Sequence, residues 1–79
     1  MTFKRAYDTA MKKSVAFRRH DEAVKTAQAN NEASACMIFS VEPGETFYYG
    51  FDGVNLQKGK HTRRRAQVLT DRNEVLIIL

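Results

Sequence analysis

The residues of this chain best suited to chemistry are five cations within the eight-residue segment KGKHTRRR. They are Lys58, Lys60, Arg63, Arg64 and Arg65, and no acidic residue lies among them. Clustered cations suit a nucleic-acid backbone, because each phosphate that is neutralised releases counterions. An acidic protein surface would attract the same groups, and exposed cations also protect sheet edges from aggregation. The residue types alone do not separate these three interpretations.

A second basic group is predicted on the N-terminal helix. Arg5, Lys12 and Arg19 are spaced seven apart, so on one straight helix they form a ridge with members about 10 Å apart. Such a ridge could follow a phosphate backbone, or it could be an ordinary solvated face. If the ridge and the segment 58–65 form one continuous stripe, nucleic acid is favoured as the partner. If they lie on opposite sides of the molecule, a protein partner is favoured.

Aromatic residues are concentrated in the middle of the chain. Five of them lie within thirteen positions: Phe39, Phe47, Tyr48, Tyr49 and Phe51. In so short a chain most of them must form the core, although exposed rings could stack on unpaired bases. Tyr48 is predicted to be the exposed exception, because it lies opposite Phe39 if the turn is centred on residues 43–44.

The sequence lacks a recognisable catalytic or metal-binding constellation. His20, His61 and the single cysteine, Cys36, do not have the spacing of metal ligands. Neither a nucleophile–base arrangement nor a phosphate-cradling glycine loop is apparent. A chain of 79 residues also leaves little room for an enclosed substrate pocket. We therefore predict a protein that is not an enzyme and that uses no cofactor and no metal.

Length and composition predict one domain, residues 1–79, located in the cytoplasm. The net charge is +4, and 43% of the residues are hydrophobic. A lone cysteine excludes an internal disulfide and suits a reducing compartment. No apolar run approaches the roughly 20 residues that cross a bilayer, and the charged N-terminus does not resemble a secretory signal. No membrane partner is expected.

Residues 3–29 are predicted to be helical, since Ala is frequent and neither Pro nor Gly occurs. Thr2 can serve as the N-cap. An apolar stripe extends to Phe17 and is lost after Arg19. We favour a break near His20-Asp21, with Asp21 capping a second helix over 21–30. One bent helix is the alternative. The second helix, or the single bent helix, would end at residues 30–31, since Asn tolerates the left-handed cap conformation.

Residues 35–57 are predicted to form a three-stranded antiparallel meander. Glu42-Pro43-Gly44-Glu45 suits a type II turn, and Asp52-Gly53 suits a two-residue type I′ hairpin. For residues 61–69 we favour a strand. A helix there would begin after Thr62 and would place three arginines at the positive end of its dipole, which is unfavourable without an anion. Residues 74–79 are predicted to be a strand in the centre of the sheet.

The predicted fold is α+β, with an N-terminal helix, or two short helices, packed on a four- to five-stranded antiparallel meander sheet. The first hypothesis for function is a small basic protein that binds nucleic-acid backbone with low sequence specificity. The alternative is a protein-interaction module, a small inhibitor or adaptor that docks on a larger complex. A homodimer is compatible with either. The chain resembles in kind the short α+β proteins of phages and mobile elements, without a shared motif.

Overall fold

A computed structural model of the chain describes residues 1–70 and 74–78, with the side chains of residues 1–69. Helices and strands follow one another in this order: α1 Phe3–Lys13, α2 Val15–Asn30, β1 Cys36–Ser40, β2 Phe47–Phe51, β3 Leu56–Lys60, α3 Arg63–Thr70 and β4 Glu74–Ile78. The α+β class is therefore confirmed. The structure differs from the prediction in where the first helix breaks, in residues 61–69 and in the direction of the last strand.

The N-terminal helix breaks at Ser14. This residue is extended, its N–H donates to Ala10 O to close α1, and its hydroxyl accepts from Phe17 N at 3.0 Å to open α2. Arg18 Nη1 donates to Met11 O at 2.7 Å, which satisfies another carbonyl at the end of α1. The prediction of two helices is confirmed, but a break at Asp21 is wrong. A serine hydroxyl competes for backbone N–H groups and so favours a cap over a helix interior.

The outer ends of the helical pair follow the predicted signals. The Thr2 hydroxyl accepts from Arg5 N at the start of α1, and Asn31 adopts the left-handed conformation, φ 56°, at the end of α2. Both are local preferences: a hydroxyl oxygen satisfies a free N–H, and Asn tolerates positive φ. Local chemistry was therefore sufficient to predict these boundaries.

The four strands are ordered β3-β2-β1-β4. β1, β2 and β3 form an antiparallel meander, whereas β4 runs parallel to β1. The antiparallel part thus holds three strands, fewer than the four to five predicted. β4 adjoins β1 at one end of this order, so its predicted central position is wrong. A parallel neighbour requires a connection that crosses a face of the sheet, and α3 provides it.

Residues 63–70 are helical, so the favoured strand is wrong. Ala66 N donates to Thr62 O at 3.0 Å, which is the first intrahelical bond of α3. Ala66 and Leu69, three positions apart, pack on Ile38 and Tyr48 of the sheet. The run of arginines around Ala66 carries no periodic apolar signal of its own. The helix forms because Ala66 and Leu69 can pack on the sheet, and only the folded protein supplies that surface.

The sheet separates two cores, so the protein has three layers. On one face, α1 and α2 cover alternate residues of β1 and β2, among them Phe39 and Tyr49. The ring of Phe17 of α2 packs at a tilt against that of Phe39, with ring centroids 4.7 Å apart. On the other face, α3 covers the intervening residues, including Cys36. As a result, the outer surfaces of the helical pair and of α3 lie on opposite sides of the molecule.

The two predicted turns differ in outcome. Gly44 has φ 82° and Glu45 N lies 3.4 Å from Glu42 O, as the type II turn requires. The second connection spans four residues, 52–55, because Phe51 pairs with Leu56. Among the described residues of this loop only Gly53 has positive φ. The two-residue type I′ turn is therefore wrong.

Candidate functional site

Arg63, Arg64 and Arg65, here called the arginine triplet, form the first turn of α3 and are all exposed. Among the described side chains no carboxylate lies within ion-pair distance of them, and the ion pairs there are Lys25–Asp21 and the Met1 amine with Glu45. Cations at the start of a helix meet the positive end of its dipole, which is unfavourable unless an anion is bound. The triplet is therefore a cationic group open to an external anion.

Arg65 also contacts the sheet, through Tyr48. Its Nη1 donates to the Tyr48 hydroxyl at 3.2 Å. Tyr48 is only 2% exposed and lies opposite Ile38, not Phe39. Its predicted exposure for base stacking is wrong, because α3 covers this face. Tyr48 instead orients Arg65 and lies directly opposite Gly59 in the sheet.

Lys58 and Lys60 lie on β3 and are exposed. They stand directly opposite Tyr49 and Phe47, so their side chains emerge on the α1 face of the sheet. Lys58 Nζ lies 5.8 Å from the centroid of the Phe3 ring, which is within reach of a cation–π contact. The five cations that cluster in residues 58–65 are thus divided between the two faces of the sheet.

The predicted ridge on the N-terminal helix is also divided. Arg5 and Lys12 are exposed on α1, whereas Arg19 is exposed on α2, beyond the break at Ser14. All three belong to the layer opposite α3. The ridge and the arginine triplet therefore form no continuous stripe.

An open groove of about 600 Å³ adjoins α3. Its lining combines apolar and polar side chains: Ser34, Phe51, Asp52, Val54, Asn55, Gln57, Arg65, Val68 and Leu69. Val54 is 79% exposed and Val68 is 69% exposed. Sequence reasoning missed both valines, because neither belongs to a periodic apolar pattern. The groove places apolar surface beside one member of the arginine triplet.

A second groove, of about 430 Å³, lies between α1, α2 and β3. Three lysines border it, and two tyrosines are among its other residues: Phe3, Lys4, Tyr7, Asp8, Lys25, Gln28, Tyr49, Leu56 and Lys58. Both tyrosine hydroxyls donate inward to a buried carboxylate, so the groove does not offer them to a ligand.

That carboxylate is Asp21, which is 2% exposed. Tyr7 and Tyr49 donate to its Oδ1 at 2.7 and 2.8 Å, and Lys25 Nζ lies 3.0 Å from Oδ2. Burial alone would raise the pKa of Asp21, but these three donors outweigh it and hold the pKa below its usual value. Burial and the carboxylate together raise the pKa of Tyr7 to about 12 and raise the pKa of Tyr49. Asp21 is therefore ionised, and its hydrogen bonds connect α1, α2 and β2.

His20 lies beside this network and is 7% exposed. Its Nε2 is 2.8 Å from Tyr49 O, and since a carbonyl only accepts, Nε2 must carry the proton. Burial lowers the pKa of His20 and outweighs the opposing effects of this hydrogen bond and of the Asp21 charge. The imidazole is thus buried, and its Nε2 is engaged inside the fold.

Residues 1–70 and 74–78 contain no group of three His, Cys, Asp or Glu side chains able to hold a metal ion. None of the described helices has the length and apolar character to cross a membrane. Comparison with protein-family models, curated proteins and solved structures gave no match to this chain.

Proposed function

We propose that this protein is a non-enzymatic interaction module that docks on an acidic protein surface through the arginine triplet. The observation that carries the proposal is the position of the triplet. Its cations lack internal carboxylate partners among the described side chains, and Arg65 adjoins the open groove with exposed Val54 and Val68. Arginine and apolar side chains together are typical of protein interfaces, where a polar rim surrounds a desolvated centre.

The distribution of charge supports a protein partner over nucleic acid. A nucleic-acid backbone is best followed by one continuous basic stripe. Here Arg5, Lys12 and Arg19 lie in the layer opposite the triplet, and Lys58 and Lys60 emerge on that same opposite face. A single partner surface of ordinary size would therefore not contact the triplet and the helix cations Arg5, Lys12 and Arg19 together.

The test is capture of partners from a nuclease-treated cell lysate by three immobilised forms of the protein. The variant Arg63→Glu/Arg64→Glu reverses the charge of two of the three arginines in the triplet. Arg5→Glu/Arg19→Glu makes the same change of charge on the opposite side and is the matched control. We expect the wild type and the control to retain a protein partner and the triplet variant to lose it, with unchanged circular dichroism. Retention by the triplet variant would contradict the proposal.

A second candidate function is binding of nucleic-acid backbone by the triplet, favoured by three exposed arginines on one helical turn. Phosphate contacts carry no base information directly, so specificity would be low. With three phosphates engaged, log K should fall against log salt with a slope of about −3 on duplex DNA. Fluorescence anisotropy of labelled duplex and single-stranded oligonucleotides measures this slope. A lack of binding at low salt would remove this candidate.

A further inference from the structure

The outer side of β3 is an open sheet edge among the residues that the structure describes, since β3 ends the order β3-β2-β1-β4. Hydrogen bonds at both ends of the β2–β3 pair show which of its residue pairs are hydrogen-bonded. His61 N donates to Thr46 O at 2.7 Å, and Asp52 N donates to Asn55 O at 3.2 Å. Hydrogen-bonded and non-hydrogen-bonded pairs alternate in an antiparallel ladder.

Gln57 and Gly59 therefore direct their backbone groups at β2, and the alternate residues Leu56, Lys58 and Lys60 direct theirs outward. Three N–H and three C=O groups at this edge consequently have the geometry to pair with another strand.

The charged side chains that β3 itself contributes, Lys58 and Lys60, are both cations. Lys58 and Lys60 lie on the same face, about 7 Å apart at the usual rise of a strand. From Leu56 to Arg65 there are five cations and no acid. A strand added here would place its own alternate side chains next to Lys58 and Lys60, and opposite charges in such positions stabilise pairing.

We propose that the outer edge of β3 binds an extended acidic segment of a partner protein as an added strand, with carboxylates at alternate positions. This inference rests on the proposed function and names the partner's recognition mode. The backbone ladder supplies affinity, and Lys58 and Lys60 select the charge pattern. A second copy of this chain is disfavoured, since two β3 edges would bring lysines against lysines.

The experiment uses the full chain, labelled with ¹⁵N, and an eight-residue peptide of alternating Glu and Thr with blocked ends. Amide hydrogen exchange is measured with and without the peptide. We expect exchange of the Leu56, Lys58 and Lys60 amides to slow at least tenfold. The amides of Gln57 and Gly59, which already face β2, should change much less. This alternation distinguishes an added strand from general electrostatic docking.

Two controls separate backbone pairing from charge. A peptide N-methylated at alternate positions keeps its carboxylates but cannot complete the ladder, so it should lose the protection. The variant Lys58→Gln/Lys60→Gln should bind the unmodified peptide at least tenfold more weakly, whereas Arg5→Gln/Arg19→Gln, which removes the same charge from helices α1 and α2, should bind it normally.

Several results would overturn this proposal. One is equal binding of the N-methylated peptide, and another is a peptide that leaves the three outward amides at their free exchange rates at millimolar concentration. Protection that rises with protein concentration alone, with a dimer in light scattering, would assign the edge to a second copy. In each case, capture of a protein partner from nuclease-treated lysate that depends on the arginine triplet would still support the proposed function. The two failures are therefore distinguishable.

Discussion

The Tyr49 hydroxyl donates to Asp21 Oδ1 at 2.8 Å, which joins the middle strand of the meander to α2 inside the core. Tyr7 of α1 donates to the same oxygen at 2.7 Å. One carboxylate thus connects the two helices to the middle strand of the meander. Since a buried charge is costly unless it is hydrogen-bonded, this cluster makes the mutual positions of α1, α2 and β2 specific.

Replacing Asp21 with Ala should lower the free energy of unfolding by about 3 kcal/mol, because two tyrosine donors lose their acceptor. Urea denaturation measures the change. Asp8→Ala is the matched control, since Asp8 is exposed on α1, and we expect it to stay within about 0.5 kcal/mol of the wild type. Equal effects of the two substitutions would mean that the network does not stabilise the fold.

Acid stability should depend on Asp21 in a defined direction. Its pKa is lower in the folded state than the ordinary value of 3.8, so the unfolded chain binds the proton more readily. The contribution is therefore complete well above pH 3.8 and is lost as the pH falls through the folded pKa. The variant Asp21→Asn should show a shallower loss of stability below pH 4 in urea titrations. An acid limb as steep as that of the wild type would contradict the assignment.

His20 predicts a second dependence on pH, nearer neutrality. Burial lowers its pKa below 6.5, so the unfolded state binds the proton first as the pH falls. The contribution of His20 to the free energy of unfolding should be fully present above pH 6.5. Below that pH the free energy of unfolding should decline by at most about 1.4 kcal/mol per pH unit. His20→Gln, whose amide can still donate to Tyr49 O, should reduce this decline. His61→Gln removes a histidine outside the core and should retain it.

Ser14→Ala should cost about 1 kcal/mol, because α2 loses its N-cap at a residue that is only 8% exposed. Thr2→Ala removes the corresponding cap of α1, where the hydrogen bond is longer, 3.3 Å, and exposed. We expect a smaller loss there. Thermal or urea unfolding of the two variants gives the comparison, and a larger effect at Thr2 would show that the break at Ser14 is not held by its cap.

Two glycines should respond differently to Ala. Gly44 has φ 82° with no atom within 4 Å of an added Cβ, so Gly44→Ala should cost only backbone strain, about 1 kcal/mol. A Cβ on Gly50 would lie 3.0 Å from Ala35 O and Cys36 Cα. Those are backbone atoms at and just before the start of β1, so Gly50→Ala should be the more destabilising substitution. Urea midpoints rank the two, and the reverse order would contradict the observed β1–β2 packing.

The extent of sequence-based prediction depended on the distance over which each signal acts. The caps at Thr2 and Asn31 and the turn at Gly44 were predicted because a few neighbouring residues decide them. The break at Ser14 is not apparent in the sequence, because the apolar stripe continues through it to Phe17 and is lost only after Arg19. Asp21 looked like an exposed cap in sequence, and only the approach of Tyr7 and Tyr49 makes it a buried acceptor.

Prediction of the candidate surfaces also depends on the distance over which each signal acts. The cluster of cations from Lys58 to Arg65 is plain in the sequence, but its partition between the two faces of the sheet is not. That partition depends on α3 folding over Ile38 and Tyr48, a contact between residues far apart in the chain. The open edge of β3 likewise depends on the order of the strands.

The amino-acid sequence alone determined the α+β class, the helical N-terminus, the meander and the concentration of positive charge, because local preference and composition decide these features. Tertiary structure decided that residues 63–70 are helical, that β4 pairs in parallel with β1, and which cations share a surface. The physical reason is that long-range burial outweighs weak local preference. A short segment adopts whichever conformation lets its few apolar side chains cover the sheet.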